Sequence, residues 1–169
     1  MYIIFPMSKT IPNVFNTIPG YCCFGCSPDN DIGLRLAFFA EEDGTCWTEY
    51  APKELHSGFP GILHGGIAST VLDELAFWAV FNATGRFGLT ARLNLKYRSA
   101  VPVGARLRAE GMMLSRKGKI CTLSVRLVDP ESKEVYVEGD STYIIVDRAT
   151  WERVTGSPVH SSIQQYFEG

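Results

Sequence analysis

The sequence has little net charge and no long apolar run. Its 16 Lys and Arg residues nearly balance 18 Asp and Glu residues, for a net charge of −2, which argues against nucleic acid or an anionic membrane as the main partner. A membrane span needs roughly 20 apolar residues, and Asp73 and Glu74 interrupt the best candidate. Residues 1–6 lack the basic start and the length of a secretion signal. We therefore expect no membrane segment, no membrane partner and no nucleic acid partner.

Cysteine is also scarce, and its pattern does not suggest a set of disulfides. The five cysteines are an odd number, with Cys22, Cys23 and Cys26 crowded together. This pattern favours a reduced chain in the cytoplasm. Cys23 and Cys26 have the spacing of a zinc knuckle, but no second pair follows, because Cys46 and Cys121 stand alone. The sequence therefore predicts no metal site.

What the sequence does contain is enough apolar material for one core. The chain has 169 residues, of which 46% are hydrophobic and 12% aromatic, so disorder is not expected and a single domain is. Residues 1–20 show no clear period and are interpreted as an arm. The domain is placed at residues 21–147. Residues 148–169 form a polar, peripheral tail with a short helix near 163–167.

One stretch, residues 61–81, dominates the sequence. It begins as a glycine-rich turn and continues as an almost wholly apolar helix that ends near Asn82, with Gly85 as the stop. A helix that is apolar on nearly every side is buried on nearly every side. Its only charges are Asp73 and Glu74, and ionised carboxylates are rarely buried without a partner or a purpose.

The start of this helix is the second chemical feature. Near Gly65 or Gly66 the first backbone N–H groups and the positive end of the helix dipole face outward, which suits an oxyanion. At 1.5 Å per residue, Asp73 lies roughly 10–12 Å further along the helix. The helix start and the carboxylate are therefore too far apart to act on one atom within one chain, which suggests a site shared by two chains.

The rest of the chain alternates with the period of β-strands. Odd positions are apolar and even ones polar through residues 89–98, and similar patterns follow in three further segments. The predicted strands are 34–39, 45–50, 89–98, 105–113, 121–127 and 135–146, with a hairpin tip at 115–119 and a turn at 129–133. An antiparallel sheet with one apolar face needs a cover, and the single helix supplies it, which makes the fold class α+β.

Several motifs resemble one known family. Residues 58–66, Gly-Phe-Pro-Gly-Ile-Leu-His-Gly-Gly, are followed by Asp73 nine residues after His64. This pattern resembles the HGG motif of the hotdog-fold acyl-CoA thioesterases, in particular their phenylacetyl-CoA thioesterase-like branch. Residues 23–30 with Gly33-Leu34, and residues 94–97 with 102–104, are similar to supporting segments of that branch. The resemblance covers roughly residues 21–147.

The resemblance implies a fold, an activity and roles for individual residues. It implies an antiparallel sheet wrapped around one long helix, and hydrolysis of a small or medium acyl-CoA. The backbone N–H of Gly66 would bind the thioester carbonyl oxygen, with Gly65 shaping the turn, and Asp73 would act as nucleophile or general base. The two halves of the site would come from opposite subunits of a homodimer or homotetramer, with no cofactor beyond the CoA of the substrate.

The sequence departs from the family pattern in two places. Several members have Asn or Gln six residues before the histidine, where this chain has Gly58, so that role is vacant. Some members of the branch use a threonine at the start of the strand after the helix, and Thr90 fits that role if the preceding turn is one residue longer than usual. The strand alternation, however, puts Thr90 on the polar face.

Other polar residues have simpler interpretations. Glu74 is one helical step from Asp73 and is expected to reach solvent or a salt bridge. His64 is expected to hold the turn by a hydrogen bond, and His56 to lie exposed in a loop. A hairpin tip with Arg116, Lys117 and Lys119 is usually solvated. The alternative is that these three cations bind the phosphates of coenzyme A.

Two other functions remain open from the sequence. One is a hotdog acyl hydratase or dehydratase, which needs a histidine paired with an acid, and here the only candidates are His56 with Asp73 or Glu74. The other is a non-catalytic acyl-CoA-binding protein, which the glycine at position 58 would favour. Release of a free thiol from acyl-CoA distinguishes hydrolysis from both alternatives.

Overall fold

The structure, a computed structural model, describes residues 8–168. Residues 1–6, for which the sequence predicts no secretion signal, lie outside this part. The main sheet has seven antiparallel strands in the order β1-β2-β3-β7-β8-β9-β6. These strands are β1 Lys9–Ile11, β2 Phe38–Ala40, β3 Cys46–Tyr50, β6 Gly88–Tyr97, β7 Leu107–Lys117, β8 Ile120–Val128 and β9 Val135–Ile145. A small hairpin pairs β4 Ser57–Phe59 with β5 Ile62–Leu63.

The long helix α1, Gly65–Thr84, covers the sheet as the sequence predicts. Gly85 ends it in the left-handed conformation (φ 65°), which glycine adopts without the steric cost of a Cβ. Nine residues of α1 are buried, and the helix contacts strands β2, β3, β6, β7, β8 and β9. No helix among residues 8–168 is long and apolar enough to cross a membrane.

All six predicted strands are present in the predicted order, but their first and last residues differ from the prediction. The hairpin tip shrinks to Gly118 and one neighbour, because β7 continues to Lys117 and β8 begins at Ile120. The first predicted strand, 34–39, is shorter and lies at Phe38–Ala40. The sequence missed β1 and also α2, Arg148–Thr155, which Asp147 caps by accepting a hydrogen bond from the Thr150 N–H.

The expectation that the arm and the tail lie outside the core is wrong for the described residues. Phe15, in a 3₁₀ helix at Val14–Thr17, is buried. Its ring centroid lies 4.8 Å from that of Phe87 and 6.1 Å from that of Trp151 in α2. In the last 3₁₀ helix, Ser161–Phe167, Ile163 is also buried. Both ends contribute to the core because their few apolar side chains cover the C-terminal half of α1.

This packing predicts that alanine substitutions at two isoleucines change the free energy of unfolding by different amounts. Ile163→Ala should reduce the free energy of unfolding by about 2–5 kcal/mol, because Ile163 is only 1% exposed and its loss leaves a cavity. Ile32→Ala is the matched control: Ile32 is 80% exposed, so we expect a change within about 0.5 kcal/mol. Urea denaturation measures both changes, and equal effects would contradict a core position for the tail.

Candidate active site

Asp73 lies in the middle of α1, where the helix passes β6 and β9. Its Oδ1 accepts a hydrogen bond from Thr90 Oγ1 at 2.9 Å and another from the Tyr143 hydroxyl at 2.8 Å. The same hydroxyl lies 2.7 Å from the backbone oxygen of Asp73. The second carboxylate oxygen, Oδ2, accepts no hydrogen bond within the part of the chain that the structure describes. One oxygen is therefore held in place and the other is left for chemistry.

The polar-face assignment of Thr90 from strand alternation is wrong. Thr90 pairs with Tyr143 and Arg92 pairs with Thr142, so Ala91 is an extra residue in a β-bulge. Paired residues of an antiparallel ladder share a face of the sheet, so Thr90 points towards α1 with Tyr143. A bulge breaks the period of two, which is why the sequence pattern put Thr90 on the outer face.

Tyr143 is the functional residue that the sequence analysis missed. It is 1% exposed, and burial, the largest cause, together with the charge of Asp73 raises the pKa of its hydroxyl far above its usual range. The hydroxyl is therefore a permanent donor to Asp73. A tyrosine in the predicted strand 135–146 was a usable signal, since a buried tyrosine hydroxyl needs a partner.

Asp73 borders an apolar cavity of about 420 Å³, a size in the range of small-molecule sites. One side of the cavity comes from the arm and the tail, and the other from α1 and the start of β6. Its apolar lining includes Phe15, Ile18, Phe77, Leu89, Trp151 and Ile163. The Asp73 carboxylate thus lies at the edge of a mainly apolar pocket.

Glu74 forms no salt bridge with any residue that the structure describes, and it is only partly exposed. Trp78 Nε1 donates to its Oε1 at 3.2 Å. The sulfur of Cys23 lies 3.6 Å from Oε2 and 3.7 Å from Oε1. Burial, the largest cause, and the nearby Cys23 thiol raise the pKa of Glu74 to about 7. The loop around Gly25 packs closely against this carboxylate.

The helix start is held by His64. This residue caps α1, and its Nδ1 accepts a hydrogen bond from the Gly66 N–H at 2.9 Å. The Tyr97 hydroxyl donates to the Gly65 backbone oxygen at 2.9 Å and lies 2.7 Å from Ser69 Oγ. Gly65 and Gly66 are both exposed in the single chain. The expected oxyanion donor, the Gly66 N–H, is therefore at the surface, but in this structure it donates to His64 Nδ1.

Position 58 packs against the same histidine. A Cβ on Gly58 would lie 3.1 Å from His64 Cα, so a larger residue would displace the helix cap. His56 is partly buried rather than exposed, and its Nδ1 lies 2.8 Å from the Tyr50 hydroxyl. Burial, followed by the charge of Lys53, lowers the pKa of His56. This histidine makes no hydrogen bond to either acid of α1.

The structure separates the two halves of the predicted site. Thr90 contacts Asp73, and Tyr97 contacts Gly65, yet these strand residues are seven positions apart in β6. Gly65 and Asp73 are eight residues apart in α1, which is about 12 Å at 1.5 Å per residue. One chain therefore brings Asp73, Thr90 and Tyr143 together and leaves Gly65 and its neighbour at the other end of the strand.

The basic hairpin tip lies at the Asp73 end of the sheet. Ile120 pairs with Ile144, which in turn pairs with Leu89 beside Thr90. Within the tip, Arg116 Nε donates to the Gly118 backbone oxygen at 3.1 Å. Lys119 Nζ forms an ion pair with Asp147 at 2.9 Å. This one of the three cations predicted to bind phosphate is therefore already paired with a carboxylate.

Comparison with known proteins agrees with this architecture. A family model described as thioesterase superfamily matches residues 60–136. The acyl-coenzyme A thioesterase THEM4 of Bos taurus is 29% identical over 122 residues, which cover 70% of this chain and 49% of that protein. This chain spans about half the length of the curated relatives it matches.

Solved structures share the fold. Zebrafish thioesterase superfamily member 2 superposes with a TM-score of 0.63 and 21% identity, over 71% of this chain and 88% of that one. A hypothetical thioesterase protein from Streptococcus pneumoniae, solved with coenzyme A, gives a TM-score of 0.58 and 18% identity, over 62% and 80% of the two chains. These likenesses confirm the predicted hotdog fold.

The buried hydroxyl at position 143 generates a stability prediction. Tyr143→Phe leaves the Asp73 carboxylate with one donor instead of two, so we expect a loss of about 1–3 kcal/mol in the free energy of unfolding. Tyr136→Phe is the control, because its hydroxyl bonds to no described residue, and should be nearly neutral. Chemical denaturation compares the two variants. A neutral Tyr143→Phe would mean that the hydroxyl does not hold the carboxylate.

Proposed function

We propose that this chain, which has the hotdog fold, is a member of the thioesterase superfamily and hydrolyses the thioester of a small or medium acyl-CoA. The observation that carries the proposal is the Asp73 carboxylate, oriented by Thr90 and Tyr143 at the edge of an apolar pocket. An acyl chain in this pocket would present its carbonyl carbon close to the free oxygen of Asp73. The activity named for the curated relatives supports the same reaction.

The chemistry requires a base or nucleophile and a donor for the carbonyl oxygen. Asp73 either attacks the carbonyl carbon or takes a proton from a water that does so. The carbon–sulfur bond then breaks, and the CoA sulfur leaves with the electron pair and is protonated to the thiol. In the nucleophilic route, water subsequently cleaves the acyl-aspartate anhydride. Both routes yield a free acid, and neither requires a metal or a redox cofactor.

The donor for the carbonyl oxygen comes from the helix start of a second chain in this proposal. The Gly66 N–H is the assigned donor, and Gly65 lets the substrate approach the helix start closely. Since His64 Nδ1 accepts from this N–H in the free chain, the imidazole must share the N–H or rotate away when substrate binds. His64 thus positions the donor and does not transfer a proton.

The edge of the sheet supports a shared site. Strand β6 is the last strand of the sheet, and an open strand edge is a template for another chain. Thr90, at one end of β6, contacts Asp73, while Tyr97, at the other end, contacts Gly65. Antiparallel pairing of two β6 strands about their centres would bring the Asp73 end of each chain beside the Gly65 end of the other. We therefore assign the active unit as a homodimer or a pair of dimers.

The remaining assignments concern the CoA phosphates, the cellular compartment and the alternative hydratase function. We assign the CoA phosphates to the hairpin tip that carries Arg116 and Lys117, with Lys119 available if it exchanges its partner Asp147 for a phosphate. All five cysteines are free thiols, which suits the cytoplasm. A hydratase is not favoured, because His56 bonds to Tyr50 rather than to an acid.

Substitution of the carboxylate tests the chemistry. Asp73→Asn keeps the volume and an oxygen that can accept from Thr90 and Tyr143 but removes the charge, so thiol release from acyl-CoA should fall by about 10²–10⁴. A panel of acyl-CoAs from acetyl to palmitoyl and aryl, assayed by thiol release, measures this. Glu74→Gln is the comparison variant. Near-native turnover in Asp73→Asn, with loss in Glu74→Gln, would show that Asp73 is not the reactive acid.

Mixed dimers test the shared site. A Gly66→Pro chain lacks the N–H donor and keeps its acid, while an Asp73→Asn chain lacks the acid and keeps its donor. Losing one oxyanion donor costs about 10²–10³ in rate, so neither homodimer should turn over. In the mixed dimer one site carries both changes and the other carries neither, so about half the native activity should return.

Two controls make the mixed-dimer result decisive. Gly66→Ala retains the N–H, and its Cβ would meet only the His64 ring, at 3.0 Å, so most activity should remain. Light scattering establishes that the mixed species is a dimer. Mixed dimers that fold and bind acyl-CoA but stay inactive would place the site within one chain or leave the protein a non-catalytic binder.

A further inference from the structure

Beside the pocket, a short loop brings three metal-binding side chains together. The candidate ligand atoms of Cys23, Cys26 and Glu74 all lie within 4.8 Å of one another. Cys26 is buried, while the other two residues are partly buried and line the pocket. Two thiols and one carboxylate form a chemically coherent set, because zinc binds thiolate sulfur and carboxylate oxygen.

The spacing of Cys23 and Glu74 fits two ligands of one metal ion. Zinc–sulfur bonds are about 2.3 Å and zinc–oxygen bonds about 2.0–2.2 Å, so ligand atoms on one tetrahedral zinc lie about 3.5–3.8 Å apart. The Cys23 sulfur lies 3.6 Å and 3.7 Å from the two oxygens of Glu74. These atoms are already separated as two ligands of one ion would be.

Two of the three candidate ligands, Cys26 and Glu74, also have outer hydrogen-bond partners that orient them. Asn13 Nδ2 lies 3.4 Å from the Cys26 sulfur, and the Tyr21 hydroxyl lies 3.0 Å from it. Trp78 Nε1 donates to Glu74 Oε1 at 3.2 Å. Hydrogen-bonded outer residues of this kind fix the ligands of metal sites. Here they come from three different parts of the chain.

The backbone of Gly25 also lies close to the candidate ligands. A Cβ on Gly25 would lie 2.5 Å from Glu74 Oε2, so the loop approaches the carboxylate more closely than a residue with a side chain would allow.

From this arrangement we propose that Cys23, Cys26 and Glu74 bind one zinc ion. Binding displaces the protons of the two thiols to solvent. In zinc sites with three protein ligands a water or substrate takes the fourth position, and here the ion would border the pocket that contains Asp73. The ion would also join the loop to α1 and so fix one wall of that pocket.

This proposal revises the sequence-based expectation of no metal. The expectation rested on the absence of a second cysteine pair, whereas the third ligand is an acid about 50 positions later in the chain. The inference does not rest on the proposed hydrolysis, because it is tested by metal content and spectroscopy rather than by turnover.

Metal titration of the full chain tests the site. Protein reduced and stripped of metal under anaerobic conditions is titrated with Zn²⁺ against a chromophoric chelator, and with Co²⁺ as a spectroscopic probe. We expect one ion per chain, a thiolate-to-cobalt charge-transfer band, and zinc protection of two thiols against alkylation. Absence of uptake by the reduced wild-type protein would overturn the proposal.

Variants locate the ion. Cys23→Ser, Cys26→Ser and Glu74→Gln should each lose the 1:1 uptake, while Tyr21→Phe, which removes an outer donor, should weaken binding about 10–100-fold. Cys22→Ser is the matched control, because Cys22 is exposed and outside the cluster, and should bind normally. Equal loss in Cys22→Ser would refute the assignment.

Circular dichroism shows whether each variant folds. If a cysteine variant does not fold, the wild-type thiol map decides instead. Mass spectrometry of the alkylated protein should then find zinc protection at Cys23 and Cys26, and protection elsewhere would contradict the site.

Discussion

The hydrogen bonds from Tyr143 to Asp73 are the interaction on which the candidate site depends. One buried hydroxyl contacts both the backbone oxygen and the carboxylate of the same helical residue. It therefore fixes where α1 crosses the sheet and how the carboxylate is turned. Apolar packing alone would fix the position at which α1 crosses the sheet less tightly than a directional hydrogen bond does. Thr90 adds a second donor to the same oxygen, so the other oxygen keeps one orientation towards the pocket.

Much of the fold was predictable because its signals are periodic. An apolar helix bounded by Gly65 and Gly85, followed by segments of period two, is enough to define one helix on an antiparallel sheet. Asp73 was also found from the sequence, because a charge inside an apolar helix demands an explanation. These inferences depend on local patterns or on one residue type in an unusual setting.

The errors have equally specific causes. A single extra residue, Ala91, reversed the expected face of Thr90, and a bulge has no reliable sequence signal. Glu74 was assigned to solvent because the partners that surround it come from a distant loop. Phe15 was placed outside the core because residues 1–20 show no clear period, and Ile163 because the tail around it is mostly polar. Contacts between distant segments decide all of these cases.

The aromatic contacts between the two ends of the chain also set the order in which the molecule can be completed during synthesis. Thr17 and Ser162, whose side-chain oxygens lie 2.9 Å apart, are 145 positions apart in the sequence. At about 5–20 residues per second, the ribosome needs roughly seven to thirty seconds between them. Until then Phe15 has no Trp151 to pack against and the pocket lacks one wall. A nascent chain can thus form its sheet and helix well before it can enclose a ligand.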